Sequence, residues 1–345
     1  MKLGHTWRVD SRSAESLNNG SRRLIQHRGH TKKLQERSHM NKTGPFFSLC
    51  AMTIFAANSL VLQTPQPGGR HDKGFWRQIQ QNNYAVPGGQ KAFPLAQELS
   101  SDLSSTDPEL RDDLAYSILA MWIANATLFS TEELNVLADQ WTANLQLGIG
   151  ETGTDTVLRR SFSALCLASL AKRDLRAPFL GRQRYRMLLD RALEYLGDER
   201  DLRGFDATKG WVHATAHTAD LLAELANSPR FAREDQANVL KAVMQRLATA
   251  SEIFTYGEQD RLANAVAVIT ARADFDVESF QSWLSEMDRV DQTTWKDTPP
   301  RLAALLRFEN NSYFLRGLVT QISQRPETLA SGEAKRLVLK SLQDR

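Results

Sequence analysis

Cysteine is nearly missing from this sequence, with two in 345 residues. That excludes a disulfide-stapled fold and a cysteine-rich zinc site. Cys50 lies in an apolar run near the amino end. Cys166 sits inside Phe162-Ser-Ala-Leu-Cys-Leu-Ala-Ser-Leu170, where a thiol reads as a small core residue rather than a reactive one. Histidine is also scarce: beyond residue 74 there are His213 and His217 and no others. No Gly-x-Ser-x-Gly, Cys-x-x-Cys or His-Glu-x-x-His occurs, so the commonest hydrolase, redox and zinc-protease signatures are excluded. Gly148-Ile-Gly-Glu-Thr-Gly153 is glycine-rich but lacks a following Gly-Lys-Ser/Thr, so it reads as a helix connector and not a phosphate loop. Strand-like alternation between turn signals is absent as well.

The basic balance is confined to the amino end. The chain has a formal net charge of +3, but residues 1–39 hold nine Lys or Arg against three acids. The rest of the chain is therefore mildly acidic and offers no footprint for nucleic acid. Residues 1–39 lack apolar periodicity and read as disordered or as a mis-annotated extension. Met40 then opens a different pattern. A short basic stretch with Lys42 leads into an apolar run from Phe46 to Ala57, and Ala57 and Ser59 are small residues at the spacing of a signal-peptidase cut. Residues 40–59 thus read as a signal peptide, and the protein as exported, periplasmic or secreted. A retained anchor over residues 44–62 is the competing reading, and a buried core helix a third. Membrane contact is expected through this segment alone, if it stays uncleaved. Residues 60–74, with Pro65, Pro67, Gly68 and Gly69, read as a flexible linker.

From residue 75 to 345 almost everything reads as helix. Asp107-Pro108 is a cap followed by Pro at a first helical position, ahead of Leu110, Leu114, Ile118 and Trp122 on one face. Ser130-Thr-Glu-Glu133 is a capping box leading into Leu134, Leu137 and Trp141. Thr154-Asp155 starts the next helix. Others fit 182–196, 211–226, 232–250, 259–272, 277–287, 300–308, 313–322 and 332–342. Acidic residues at helix starts (Asp113, Asp155, Asp260) recur at intervals that fit a rough period of 40–50 residues. The expectation is an all-α single domain, a HEAT-like α-solenoid or α/α helical-repeat array. An irregular helical bundle is the alternative.

One segment concentrates chemistry-bearing groups. On a helix over residues 211–226, His213, His217, Asp220 and Glu224 fall along one narrow stripe. Two imidazoles at i and i+4 beside a carboxylate fit a divalent metal, held by His213, His217 and Asp220. They equally fit an acid–base pair, or a polar ladder that hydrogen-bonds neighbouring loops. Other polar groups could join them from adjacent helix starts: Glu151, Asp155 and Arg159; Arg203, Asp206 and Trp211; Glu258, Asp260 and Arg261. Carboxylates at such positions also cap helix N-termini in their own right.

Leu110-Arg-Asp-Asp-Leu-Ala-Tyr116, Thr154-Asp-Thr-Val-Leu-Arg-Arg-Ser-Phe-Ser-Ala164, Asp201-Leu-Arg-Gly-Phe205 and Gly210-Trp-Val-His-Ala-Thr-Ala-His-Thr-Ala-Asp220 resemble a bacterial family catalogued as domain of unknown function 2785. The resemblance runs over roughly residues 95–275. It implies an all-helical repeat fold and brings no established activity. Function is expected to be the binding of a peptide, protein or small ligand in the cell envelope. The alternative is a metal-binding protein or hydrolase-like enzyme that uses the His213/His217 stripe.

Overall fold

The computed structural model describes residues 70–345. The expectations for residues 1–39, for the signal segment 40–59 and for residues 60–69 lie outside the described residues. The linker expected over 60–74 ends sooner than its Pro/Gly content suggested. Arg70 pairs with Asp102, the His71 ring bonds Glu98 at 2.7 Å and stacks on Phe75, and a helix is under way by Lys73.

Twelve α-helices make up most of the described residues. The first two are α1 (Lys73–Gln81) and α2 (Ala92–Asp102). A π-helical stretch, Glu109–Tyr116, runs straight into α3 (Ser117–Ala124). Then come α4 (Thr131–Asn144), α5 (Thr156–Arg176) and α6 (Gly181–Asp198). A minimal antiparallel hairpin of β1 (Phe205–Asp206) and β2 (Gly210–Trp211) precedes α7 (Ala214–Ala226). The chain ends with α8 (Arg233–Thr249), α9 (Glu258–Thr270), α10 (Val277–Asp291), α11 (Leu302–Ser323) and α12 (Leu329–Gln343).

The caps behave as their chemistry requires. Ser130 Oγ accepts from Glu133 N while Glu133 returns a bond from Ser130 N, which satisfies two orphan donors at once. Asp107 Oδ1 accepts from Glu109 N and Leu110 N, as expected of a cap, but the turns it opens are π rather than α. The backbone N–H and the hydroxyl of Ser117 both donate to Asp112 O, five residues back, and hold the wider turn.

Helices meet in two rows. α3, α5, α7, α9 and α11 each pack against the next in that series. α6, α8, α10 and α12 do the same in a second row, with cross-contacts such as α4 to α5, α6 to α7 and α8 to α11. α7 and α9 lie in the middle and are buried nearly all round, which suits their alanine content. Small residues let neighbouring backbones come close. The described residues fall within one compact unit, Gln66–Arg345, and its apolar core is continuous from Trp76 to Val338.

A buried polar joint ties these rows together. Arg160, fully buried on α5, forms a two-pronged pair with Glu199 at 2.6 and 3.0 Å and donates to Leu147 O, Gly148 O and Thr156 Oγ1. Arg246 on α8 donates to Leu196 O and Glu199 O at the end of α6. Each charge has several partners, which is what burial of an ion demands.

Two helix boundaries differ from expectation in ways that matter. The helices expected at 300–308 and 313–322 are one continuous α11. The helix expected from Trp211 begins only at Ala214, because residues 205–211 form the hairpin instead.

Candidate functional site

The hairpin stands at the amino end of α7, and its position is fixed from two sides. Arg111, fully buried in the π-helical stretch, donates to Ser105 O at 2.8 Å, to Lys209 O at 2.6 Å and to Trp211 O at 3.1 Å. Its guanidinium lies 4.7 Å over the Phe162 ring. Gly210 has φ +74 and sits against Pro108, so both backbone conformation and space require glycine there. Within the turn, Asp206 Oδ1 accepts from Thr208 N, Thr208 Oγ1 and Lys209 N, which drives its pKa down to about 2. The other fixed point is Gly204. Its carbonyl accepts from Val212 N and His213 N, and a Cβ there would overlap the Glu258 carboxyl and the Tyr256 ring.

His213 therefore lies outside the helix. It is the N-cap of α7, in a left-handed conformation with φ 50. Its Nε2 bonds Tyr256 O at 3.1 Å and lies 3.8 Å from Glu258 Oε1. Since a carbonyl can only accept, Nε2 carries the proton and Nδ1 is the bare nitrogen. His217 sits in the first turn of α7 and bonds Ser161 through Nδ1 at 2.8 Å. The Ser161 hydroxyl gives its proton to Val212 O, so His217 Nδ1–H is the donor to Ser161 and Nε2 is left without a partner among the described residues. The two rings meet edge to face at 5.6 Å, and Phe162 closes on His217 at 4.9 Å.

Exposure is 9% for His213 and 6% for His217. Burial lowers both pKa values, His213 to about 4 and His217 well below the ordinary range, with Arg261 adding to each effect. Asp220 is pushed the other way, up to about 6, by burial that its ion pair with Arg261 only partly offsets. Burial also raises Glu258, which is 2% exposed.

The stripe expected from helical spacing is thus broken up. Asp220 belongs to Arg261, Glu224 lies 4.0 Å from Lys172, and His213 is displaced by the left-handed cap. Among the described residues no three His, Cys, Asp or Glu side chains come together in a way that could hold a metal ion. His213, His217 and Asp220 are therefore not a ready ligand set. Asp155 pairs with Lys209 at 2.5 Å. Arg203 grips Asp201 at 2.7 Å, reaches Asp206 at 3.8 Å and donates to Thr154 O. Arg159 turns to Ser104 Oγ at 3.3 Å, while Asp260 lies against Gly317 of α11. Among the described residues no hydrogen bond or ion pair joins Asp155, Arg159 or Asp260 to the imidazoles.

Trp211 is brought in, together with neighbours that its sequence position did not announce. Its indole stacks on His213 at 4.3 Å and meets Phe205 edge to face at 4.9 Å. Tyr256, from the loop before α9, lies 6.2 Å from Phe205 and 6.4 Å from Trp211. These three rings are the exposed part of the site, at 42% for Phe205, 38% for Trp211 and 50% for Tyr256. Below them lie His213 and Glu258, then His217, Ser161 and Phe162. Sequence reasoning missed Arg111, Ser161, Phe205 and Tyr256 as parts of this assembly. Arg111, Ser161 and Phe205 had left a signal, each lying within a stretch that carried the family resemblance, whereas Tyr256 had left none.

Residues 145–320, just over half of the chain, match the family described as Protein of unknown function (DUF2785). The chain belongs to that family. The matched region holds the hairpin, both histidines, Ser161, Tyr256 and Glu258; Arg111, which pins the hairpin, precedes it. The match begins later and ends further on than the stretch that carried the resemblance in sequence. No curated protein and no solved structure matches the chain.

Chemically the layers differ. Ser161 and His217 make a hydrogen-bonded pair, but Ser161 is 0% exposed and its proton is committed to a carbonyl, so no substrate reaches it as a nucleophile. The lower layer holds the upper one in place. What faces outward is aromatic surface on a turn of fixed geometry.

Proposed function

We propose that this DUF2785 protein is a binding protein of HEAT-like helical-repeat design that holds a peptide or protein partner at the aromatic face of Phe205, Trp211 and Tyr256. The observation that carries this reading is the adjacency of three half-exposed aromatic rings on a hairpin whose backbone is pinned by Arg111. Rigid aromatic side chains contribute large contact area at low entropic cost. The two rows of alternating helices support the repeat assignment, since each helix contacts its neighbours along the row. Export, read from residues 40–59, would place this face in the cell envelope or outside the cell.

Selection of peptides from a random library on the whole mature chain tests the reading. Peptides so selected should lose binding to Trp211→Ala and to Tyr256→Ala, with circular dichroism and Tm close to wild type. Peptides that bind those variants unchanged would remove the aromatic face from the function. Metal content of untagged protein is the companion measurement. A stoichiometric transition metal lost in His217→Ala would replace this reading with the metal-binding one.

A further inference from the structure

Charge is unevenly settled around the aromatic face. The nearby basic side chains already have acids: Lys209 has Asp155, Arg203 has Asp201, Arg261 has Asp220 and Arg111 has Asp112. On the acidic side the account is open. Glu258 Oε2 accepts from Tyr256 N at 2.9 Å, but Oε1 is buried and has no hydrogen-bond partner among the described residues. That oxygen lies beside Gly204 and the Tyr256 ring, 3.8 Å from His213 Nε2, directly under the face. Glu252, also acidic, is near enough to bear on it electrostatically and has no basic partner of its own among the described residues. A carboxyl oxygen left desolvated and unpaired is unfavourable, and within the described fold only backbone amides and the charge of Arg261 favour the anionic form of Glu258. The three rings above present π-faces and edges at mutual distances of 4.9–6.4 Å.

We propose that the aromatic face and the Glu258 carboxyl beneath it form a subsite for an organic cation, an alkylammonium or guanidinium group such as a Lys or Arg side chain of the bound partner. Two features of the site favour a cation over a neutral or acidic group. Aromatic π-faces attract positive charge, most strongly when it is partly desolvated. The local excess of unpaired carboxylate repels anions and leaves Glu258 in want of a positive neighbour. The proposal rests on the aromatic docking reading and adds the chemistry of what docks.

Titration of the full mature chain with tetramethylammonium, guanidinium and the neutral isostere tert-butanol tests it, followed by the difference in tryptophan fluorescence between wild type and Trp211→Phe. The two cations should bind saturably, and tert-butanol should not. In Glu258→Gln, which keeps an acceptor for Tyr256 N, cation affinity should fall about ten-fold, the scale of one charge contact. Tyr256→Leu serves as a second variant should Glu258→Gln fail to fold, and should lose the cations likewise. Equal binding of tert-butanol and tetramethylammonium, or unchanged cation affinity in the folded variants, overturns the cation proposal. Library peptides distinguish the two levels. Selected peptides that need Trp211 but bind equally well after Lys and Arg are replaced by norleucine would overturn the cation subsite and keep the docking face. Peptides that ignore Trp211 would overturn both.

Discussion

Gly204 and Arg111 are the single residues on which the site geometry depends most directly. A methyl at position 204 would drive into the Glu258 carboxyl and the Tyr256 ring, so Gly204→Ala should cost about 1–3 kcal/mol through overpacking. The lowered midpoint would appear in urea unfolding. Arg111→Met should cost on the order of 3 kcal/mol, because it leaves the carbonyls of Ser105, Lys209 and Trp211 without their donor. It should also loosen the hairpin, read as faster hydrogen exchange at Val212 and His213, whose amides bond Gly204. The imidazoles make a prediction about pH. Their folded pKa values lie below the ordinary 6.5, so below that pH the unfolded chain binds more protons than the folded one. The stability they contribute is complete above pH 6.5 and declines as pH falls toward about 4. Asp220, Asp112 and Glu258, all raised by burial, act in the opposite sense, gaining their protons first in the folded state. The histidine contribution is therefore isolated by difference: the drop in Tm from pH 7 to pH 5 should be smaller in His217→Gln than in wild type. Equal drops would mean that His217 takes up its proton as readily in the fold as in the unfolded chain.

Elements were legible where local chemistry decides them and misread where distant partners do. Ser130 with Glu133, and Asp107 ahead of Pro108, announced helix starts that the structure contains, because caps are short-range. Asn310 and Asn311 lie in the gap between the helices expected at 300–308 and 313–322, yet α11 runs through both. Asn310 accepts from Phe254 N and donates to Glu252 O, and Asn311 donates to Asp291, so polar groups that would disrupt an isolated helix are satisfied across the core. Trp211, the last residue of β2, blended into the helix expected over residues 211–226. The hairpin signal lay in Asp206 and Gly210, five residues apart in inclusive count, and its stabilising partner Arg111 is about a hundred residues away. A lone arginine in a helical stretch reads as solvated, so nothing local marked it as buried. The same blindness covered Arg160 and Glu199. Glu199→Leu should cost about 3–5 kcal/mol, since it strands a buried guanidinium. Chemical denaturation of this variant beside the Arg160→Met, Glu199→Leu double variant checks the claim: the double change should be milder than the single one.

For the molecule as a whole, apolar periodicity and helix caps pointed to the helical class, and alternate helices lie in rows with no sheet beyond one two-stranded hairpin among the described residues. The stretches that carried the family resemblance turn out to surround one site. What the face binds was not legible, because it depends on the meeting of Phe205, Trp211 and Tyr256 across a turn and a loop. At this scale the remaining expectation concerns processing. Amino-terminal sequencing of the native protein should find a start near Leu60, and recovery of residues 1–39 on a cytosolic species would contradict export.

Cys166 turns this architecture into its own clock. The thiol is fully buried on α5, and burial holds it far above its ordinary pKa. No reagent meets it while α5 is seated, and in a chain that starts at Leu60 it is the sole sulfhydryl. A maleimide or disulfide reagent would thus label the protein only during openings that expose the buried side of α5. The labelling rate, compared with that of the unfolded chain, gives the frequency of those openings without any engineered probe. If the aromatic face and the layers below it move as one unit, a ligand held there should slow the clock by the factor expected from its own affinity.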